Sequence, residues 1–319
     1  MQPSFFTNWK SRTSSLGHLL TSAEKISSKQ LERIAVLGKE KNTGKNANGN
    51  RVSFTPKKSE EFEGLKAKRD APDVLPDGVK THLDGIFRDV FWGRRRILSN
   101  KQMTKGTEVE TDSLQLLSDL DGIYYAENKD QFSNDYLTGE PDNYQFNIKE
   151  IKSNYDLESF EKAELTSLYQ SQTRGYAWLC NKQDGELIYC LVNNPLKELN
   201  QAIYYLKLKH EIIDEPTPKF IKEAQQVERN MIFDIERWNK SFPNYEWFNT
   251  KFDFNIPKLL RIKRIPITLL PEHISFMKKR IKMARIYLME KETFALEKIK
   301  AHSLDDYEKQ IEIIKNRLK

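Results

Sequence analysis

Residues 144–152, YQFNIKEIK, alternate apolar and polar side chains behind the turn-forming run Gly139-Glu140-Pro141-Asp142, and this pattern predicts a β-strand. Successive side chains on a strand leave opposite faces, so Glu150 and Lys152 must point the same way while Ile151 points into a core. An acid and a lysine are thereby held together on one face for as long as the strand exists. Asp142, at the end of the preceding turn, converges on the same point if the hairpin closes.

The remaining chain alternates helix and strand signals. Leu16, Leu19, Leu20, Ile26, Leu31, Ile34 and Leu37 mark a helix over 15–39, and the Lys-, Asn- and Gly-rich run at 39–58 reads as a mobile loop. Helices follow over 78–98 and 105–120, the latter with Val109, Ser113, Leu116, Leu117 and Leu120 as its inward stripe. GIYYAE, DYLTGE and YQFNIKEIK read as strands, AELTSLYQSQTRGYAWLC as a helix, and ELIYCLVNN as a strand ending before Pro195. Residues 196–248 are expected to be mainly helical, LLRIKRIPIT a further strand, and 271–299 a long basic helix. The apolar spacing of the tail from Leu304 suits a helix that packs back on the domain. This order predicts an α/β fold: a mixed β-sheet flanked by helices, with additional helices towards the C-terminus.

Charge narrows the function. The formal net charge of +6 is unevenly spread. Residues 1–60 carry 11 Lys/Arg and 4 acids (+7), residues 251–319 carry 17 and 9 (+8), and residues 107–190 carry 6 and 17 (−11). Basic flanks around an acidic centre suit a polyanion-binding protein that holds a cation. Arg94, Arg95 and Arg96 form a basic cluster suited to phosphates, although on a helix at most two can face DNA together. No apolar run approaches the ~20 residues of a membrane span, and no secretory signal opens the chain, so the cytoplasm is the expected compartment. Cys180 and Cys190 are too few for a four-cysteine cluster, and the five histidines show no zinc-ligand spacing. Trp92 and Trp178 are expected in the core.

Asp142 and Glu150, with the backbone carbonyl of Ile151, can hold a hard divalent cation such as Mg²⁺, or Mn²⁺, with water completing its shell. Lys152 can then orient or help deprotonate an attacking water and neutralise charge on a phosphate. Taken alone, Asp-x7-Glu-x-Lys also fits a solvated hairpin face. In context, Pro141-Asp142 and Glu150-Ile151-Lys152 resemble the signature of the PD-(D/E)XK nuclease superfamily, and within it the phage recombination exonucleases of the lambda exonuclease and YqaJ-like group. Other pieces follow in the family's order: WKSRTSSLG, KGTEVETD, YQSQTRGYAWL and ELIYCLVNNP, over residues 9–195.

The resemblance implies a restriction-endonuclease-like fold and a Mg²⁺-dependent exonuclease that degrades double-stranded DNA from 5′ ends. Glu110, four residues after a glycine, would join Asp142, Glu150 and Ile151 at the metal, and Lys152 would orient water. Gln172 and Tyr176, one helical turn apart, would steady the active-site strand and nearby DNA. Arg12, Ser14 and Ser15 would meet the DNA terminus, although either serine could instead cap the helix starting near Leu16. The implied organisation is a nuclease core over 1–195, a completing block over 196–295 and a helical tail over 296–319. A single-strand annealing partner and a ring-shaped trimer, in host cytoplasm if the chain is phage-encoded, are further implications. Two alternatives stay open: an endonuclease or 3′-to-5′ exonuclease of the same fold, and a non-catalytic DNA-binding or annealing module.

Overall fold

The computed structural model describes residues 4–21, 28–46, 48–70, 73–96, 105–106, 108–212 and 216–317. The expected strand is β4 (Ile148–Ser153), at the edge of a sheet ordered β4-β5-β6. It runs parallel to β5 (Asp184–Cys190), with Glu150 opposite Leu187 and Lys152 opposite Tyr189; β6 (Ile262–Thr268) pairs antiparallel on the far side of β5. Parallel strands require a crossover, supplied here by α6 (Leu157–Glu161) and α7 (Ser167–Leu179). A second small sheet orders β1 (Ser11–Arg12), β3 (Leu137–Gly139) and β2 (Phe132–Ser133), with Arg12 registered on Thr138.

Helices cover both faces of the β4-β5-β6 sheet. On one, Ile151, Ile188 and Cys190 pack against Val109, Leu114 and Leu117 at and near α5 (Glu110–Asp121). On the other lies α7. The largest core joins α1 (Leu16–Leu20), α4 (Asp77–Trp92) and α11 (Pro271–His302), with Leu83, Phe91, Ile281 and Leu288 buried among them. The expected helical block resolves into α8 (Leu196–Lys209), α9 (Pro218–Met231) and α10 (Ile235–Ser241). The tail helix α12 (Leu304–Arg317) packs back through buried Ile314, and Arg317 donates to the Phe91 carbonyl at 2.9 Å.

Five expectations need correction. The strands form two small mixed sheets rather than one, because β1, β2 and β3 pair apart from β4, β5 and β6. GIYYAE forms no strand. Its polar groups are taken up elsewhere: Tyr125 N–H donates to Ser118 Oγ at 3.0 Å, and the Ala126 carbonyl accepts from Asn143 at 2.8 Å. Both ends of the 39–58 stretch are helical, residues 39–43 closing α2 (Ser28–Thr43) and residues 56–58 opening α3 (Pro56–Asp70), with a turn between them. Arg94–Arg96 do not lie on a helix, since α4 ends at Trp92 and Gly93 takes a left-handed φ of 64°. Trp92 is 40% exposed, resting edge-on against Phe91, whereas Trp178 packs against the core as expected. Positions 97 and 98 of the predicted 78–98 helix lie outside the described residues.

Candidate active site

The hairpin that positions the acids does close. Asn143 and Lys149 form an antiparallel bridge, Lys149 N–H donating to the Asn143 carbonyl at 2.8 Å. Closure brings Asp142 against β4, where its Oδ2 accepts the Ile151 N–H at 2.6 Å. Glu150 is buried and Lys152 largely so, with its ammonium on Glu150 Oε1. Both side chains point towards α7, the face on which Leu187 and Tyr189 lie.

Asp142, Ile151, Lys152, Glu110 and Ser14 line one open cleft of about 830 Å³. The Glu110 carboxylate comes from the first turn of α5, half-buried, on the same flank as buried Leu114 and Leu117. Glu108 is exposed and faces a different cavity, beside Asp112 and Arg237, so the chain's own geometry separates the two glutamates. Behind the strand, α7 presents Gln172 and Tyr176, both buried, with Gln172 hydrogen-bonded to the Tyr176 hydroxyl.

The opening segment reaches the cleft because two glycines let it approach. A Cβ on Gly139 would fall 2.6 Å from Thr13 Oγ1, and one on Gly175 would fall 2.7 Å from Thr13 Cγ2. Thr13 is fully buried and donates to the Thr138 carbonyl, while Arg12 and Ser14 on either side are exposed. Ser15 makes no side-chain cap to α1; its hydroxyl donates to the Arg12 carbonyl at 3.1 Å. The alternative of a capping Ser15 therefore has no hydrogen bond behind it. Arg94, Arg95 and Arg96 are exposed beyond α4 and are not among the residues lining the cleft.

Electrostatics make the cluster uneven. Burial and the neighbouring Glu150 charge push the Asp142 carboxyl well above its usual range, against the pull of Lys152. Burial, Glu127 and Glu150 also raise Glu110. Burial pulls Lys152 down, but Glu150 and Asp142 outweigh it and hold the ammonium protonated well above neutral pH. One cation thus faces three carboxylates, and Glu150 Oε2 is buried without a hydrogen-bond partner. An orphaned carboxylate oxygen in a desolvated site is costly unless a cation meets it. As placed, no three His, Cys, Asp or Glu side chains among the described residues gather tightly enough to chelate a metal; the Lys152 ammonium lies on Glu150 Oε1 and the Ile151 N–H on Asp142 Oδ2. The donors are nonetheless all hard oxygen, the chemistry that suits Mg²⁺ or Mn²⁺.

Sequence reasoning missed several cleft residues. Tyr169 lies one turn before Gln172 on α7, and its ring centroid is 5.1 Å from the Lys152 ammonium. Its spacing with Gln172 and Tyr176 on one helix face was the available signal. Lys105 is fully buried and donates to the carbonyls of Asn154 at 2.6 Å and Val192 at 2.8 Å, tying the ends of β4 and β5 beneath the cleft. Burial lowers this lysine to about 7. Nothing in KGTEVETD distinguishes it from a surface lysine.

No protein-family model and no curated protein matches the chain. Among solved structures it is similar to a phage-related exonuclease from Haemophilus somnus 129PT, at 20% identity and a TM-score of 0.55, covering 90% of this chain and 97% of that one. It is also similar to the alkaline exonuclease LHK-Exo from Laribacter hongkongensis, at 12% identity and a TM-score of 0.44, covering 72% of this chain and 89% of that one. LHK-Exo in complex with dAMP aligns at 14% identity and a TM-score of 0.42, covering 71% and 87%. The first likeness shows a shared fold over nearly the whole chain, consistent with the resemblance to PD-(D/E)XK nucleases.

Proposed function

We propose that this chain is a metal-dependent deoxyribonuclease that acts as an exonuclease on double-stranded DNA. The observation that carries the reading is the buried, partnerless oxygen of Glu150, set beside Asp142, Glu110 and a charged Lys152 at an open cleft. A solvated hairpin face has no need of an acid that is 1% exposed. The fold shared with a phage-related exonuclease supports the same reading.

Asp142, Glu150 and Glu110, with the Ile151 carbonyl, would hold Mg²⁺. When bound, the cation supplies Lewis-acid polarisation of the scissile phosphate and eases deprotonation of water near neutral pH. In the metal-free site Glu150 and Asp142 hold Lys152 protonated; its ammonium would orient water and offset the phosphate charge. Gln172 and Tyr176, buried on α7, would back the strand that carries the acid–lysine pair. The Ser14 hydroxyl, across the cleft, can donate to a phosphate oxygen of the strand end. Attack in line with the leaving oxygen follows from water held at Lys152 and phosphate held across the cleft.

The direct test is incubation of linear duplex and covalently closed circles with Mg²⁺ or EDTA. Release of nucleotides from linear DNA in Mg²⁺, none in EDTA and none from circles is the expected result. Nicking of circles would instead establish the endonuclease alternative.

Metal binding has a readout apart from cleavage. With its folded-state pKa above the unfolded value, Asp142 stabilises the metal-free protein while protonated, and that stabilisation disappears as pH rises through the folded pKa. A bound cation needs the ionised form and relieves this loss, so the Mg²⁺-induced rise in Tm should grow from pH 5 to pH 8. At about 100 times Kd the gain is roughly 2.7 kcal/mol. In Asp142→Asn the metal-free Tm should rise and the Mg²⁺ increment should disappear. A Mg²⁺ increment in Asp142→Asn equal to that of the wild type would remove Asp142 from the metal site.

A further inference from the structure

We propose that the hairpin of α2 and α3 is an arm whose tip binds duplex DNA by its phosphates, outside the cleft. The inference rests on the nuclease reading and adds a second DNA contact to it. The two helices pack on each other. Leu37 is fully buried, Phe54 meets Phe62 edge-on at 6.4 Å, and Lys41 lies 5.1 Å from the Phe62 ring centroid. Ion pairs cross between them: Arg33 forks onto Glu61 with two contacts of 2.8 Å, Lys41 meets Glu63 at 3.0 Å, and Lys58 meets Glu40 at 2.7 Å. Those pairs take up Glu40, Glu61 and Glu63, and no acid lies in the turn between the helices.

Residues 39–58 hold six Lys/Arg and one acid, Glu40, which is already taken by Lys58; residues 41–59 contain no acid at all. Lys45, Arg51 and Lys57 are exposed and make no hydrogen bond or ion pair through their side chains among the described residues. The turn that carries them is ordered. Lys45 and Arg51 form a β-bridge, Val52 N–H donates to the Gly44 carbonyl at 2.9 Å, and Asn46 Oδ1 accepts from Asn48 and Asn50 N–H at 3.0 Å each. Gly44 and Gly49 supply the left-handed φ values, 62° and 81°, that so tight a return requires.

A turn whose backbone is already held loses little backbone freedom on meeting a polyanion. None of the large exposed apolar side chains among the described residues falls between 41 and 59, so the tip lacks both the apolar anchor of a protein interface and the wedge of a membrane-surface element. Phosphates spaced along a duplex match its chemistry. A 16-residue α2 gives a shaft of roughly 24 Å, about seven phosphate spacings along one strand at ~3.4 Å each.

The test compares wild type with Lys45→Ala/Arg51→Ala/Lys57→Ala on a 5′-phosphorylated duplex of about 30 base pairs in Ca²⁺, by anisotropy across a salt series. A charge-preserving control, Lys45→Arg/Arg51→Lys/Lys57→Arg, should behave as wild type. Each lost phosphate contact removes about 0.9 from the slope of log K against log salt, so the alanine variant should lose about 2 to 3 in slope and on the order of 100-fold in affinity at 0.15 M salt. An alanine variant with wild-type slope, in a protein that still cuts linear DNA, overturns the arm and leaves the nuclease reading standing. Loss of binding to phosphatidylserine vesicles with an unchanged DNA slope overturns it in favour of a membrane surface. A wild type that neither binds nor cuts duplex DNA overturns the nuclease reading, and the arm with it.

Discussion

Glu150→Gln should cut the rate of duplex DNA degradation by on the order of 10³-fold, the upper range for loss of one preorganised electrostatic contact at a reacting phosphate. The amide keeps the shape of a side chain that is 1% exposed and still offers an oxygen to the Lys152 ammonium. It removes the negative charge that would hold the cation, and it exchanges an orphaned carboxylate oxygen for a neutral group. Stability should change little, because relief of that partnerless oxygen is offset by loss of the charge paired with the Lys152 ammonium. Relief of the Glu150 charge should also bring the Asp142 carboxyl down towards its ordinary range. Three measurements separate chemistry from folding: initial rate on linear duplex in saturating Mg²⁺, thermal midpoint without metal, and duplex affinity in Ca²⁺. Near-normal turnover in Glu150→Gln would place the chemistry elsewhere.

That much of the site was legible because it rides on regular structure. A two-residue period needs no tertiary knowledge to put Glu150 and Lys152 on one face and Ile151 on the other. Gln172 and Tyr176 were legible for the same reason, being one turn apart on a helix that Thr166 caps by accepting from Tyr169 N–H at 3.2 Å. What the sequence could not give was whatever depends on where irregular backbone goes. GIYYAE has the composition of a strand, yet Ser118 and Asn143 take its polar groups, and neither contact has a local signature. The 39–58 run was read by its asparagines and glycines, which occupy only the turn. The helical shaft on each side is specified by cross-helix pairs such as Arg33–Glu61, 28 positions apart, which no window scan detects. Lys105 fails for the opposite reason: its neighbours in sequence are polar, and only the meeting of β4 and β5 ends shows that it is buried.

A closed circle should be inert, and removing a terminal 5′ phosphate should slow degradation, with Arg12 as the residue that senses the difference. Arg12 stands exposed at the end of β1, registered on Thr138 of β3, two residues before the Ser14 that lines the cleft. A guanidinium there can fork two hydrogen bonds onto a phosphate, and Arg12 and Ser14 are exposed while Ser11 and Thr13 are buried. A contact to a charged group contributes about 1.5–3 kcal/mol, which corresponds to roughly 10- to 150-fold at one tenfold per ~1.4 kcal/mol. Wild type should show a preference of that size for 5′-phosphorylated over 5′-hydroxyl ends, and Arg12→Ala should erase it by slowing only the phosphorylated substrate. Because Arg12 is exposed and only its backbone carbonyl engages Ser15, the substitution should leave the thermal midpoint within about 0.5 kcal/mol of wild type. Ser15→Ala provides the contrast: with no cap bond to lose, it should alter neither stability nor end preference beyond the small effect of its bond to the Arg12 carbonyl. Equal rates on the two linear ends in wild type, unchanged in Arg12→Ala, would leave an exonuclease whose end recognition lies away from β1. Comparable rates on circles would remove the requirement for an end altogether, and with it the exonuclease assignment.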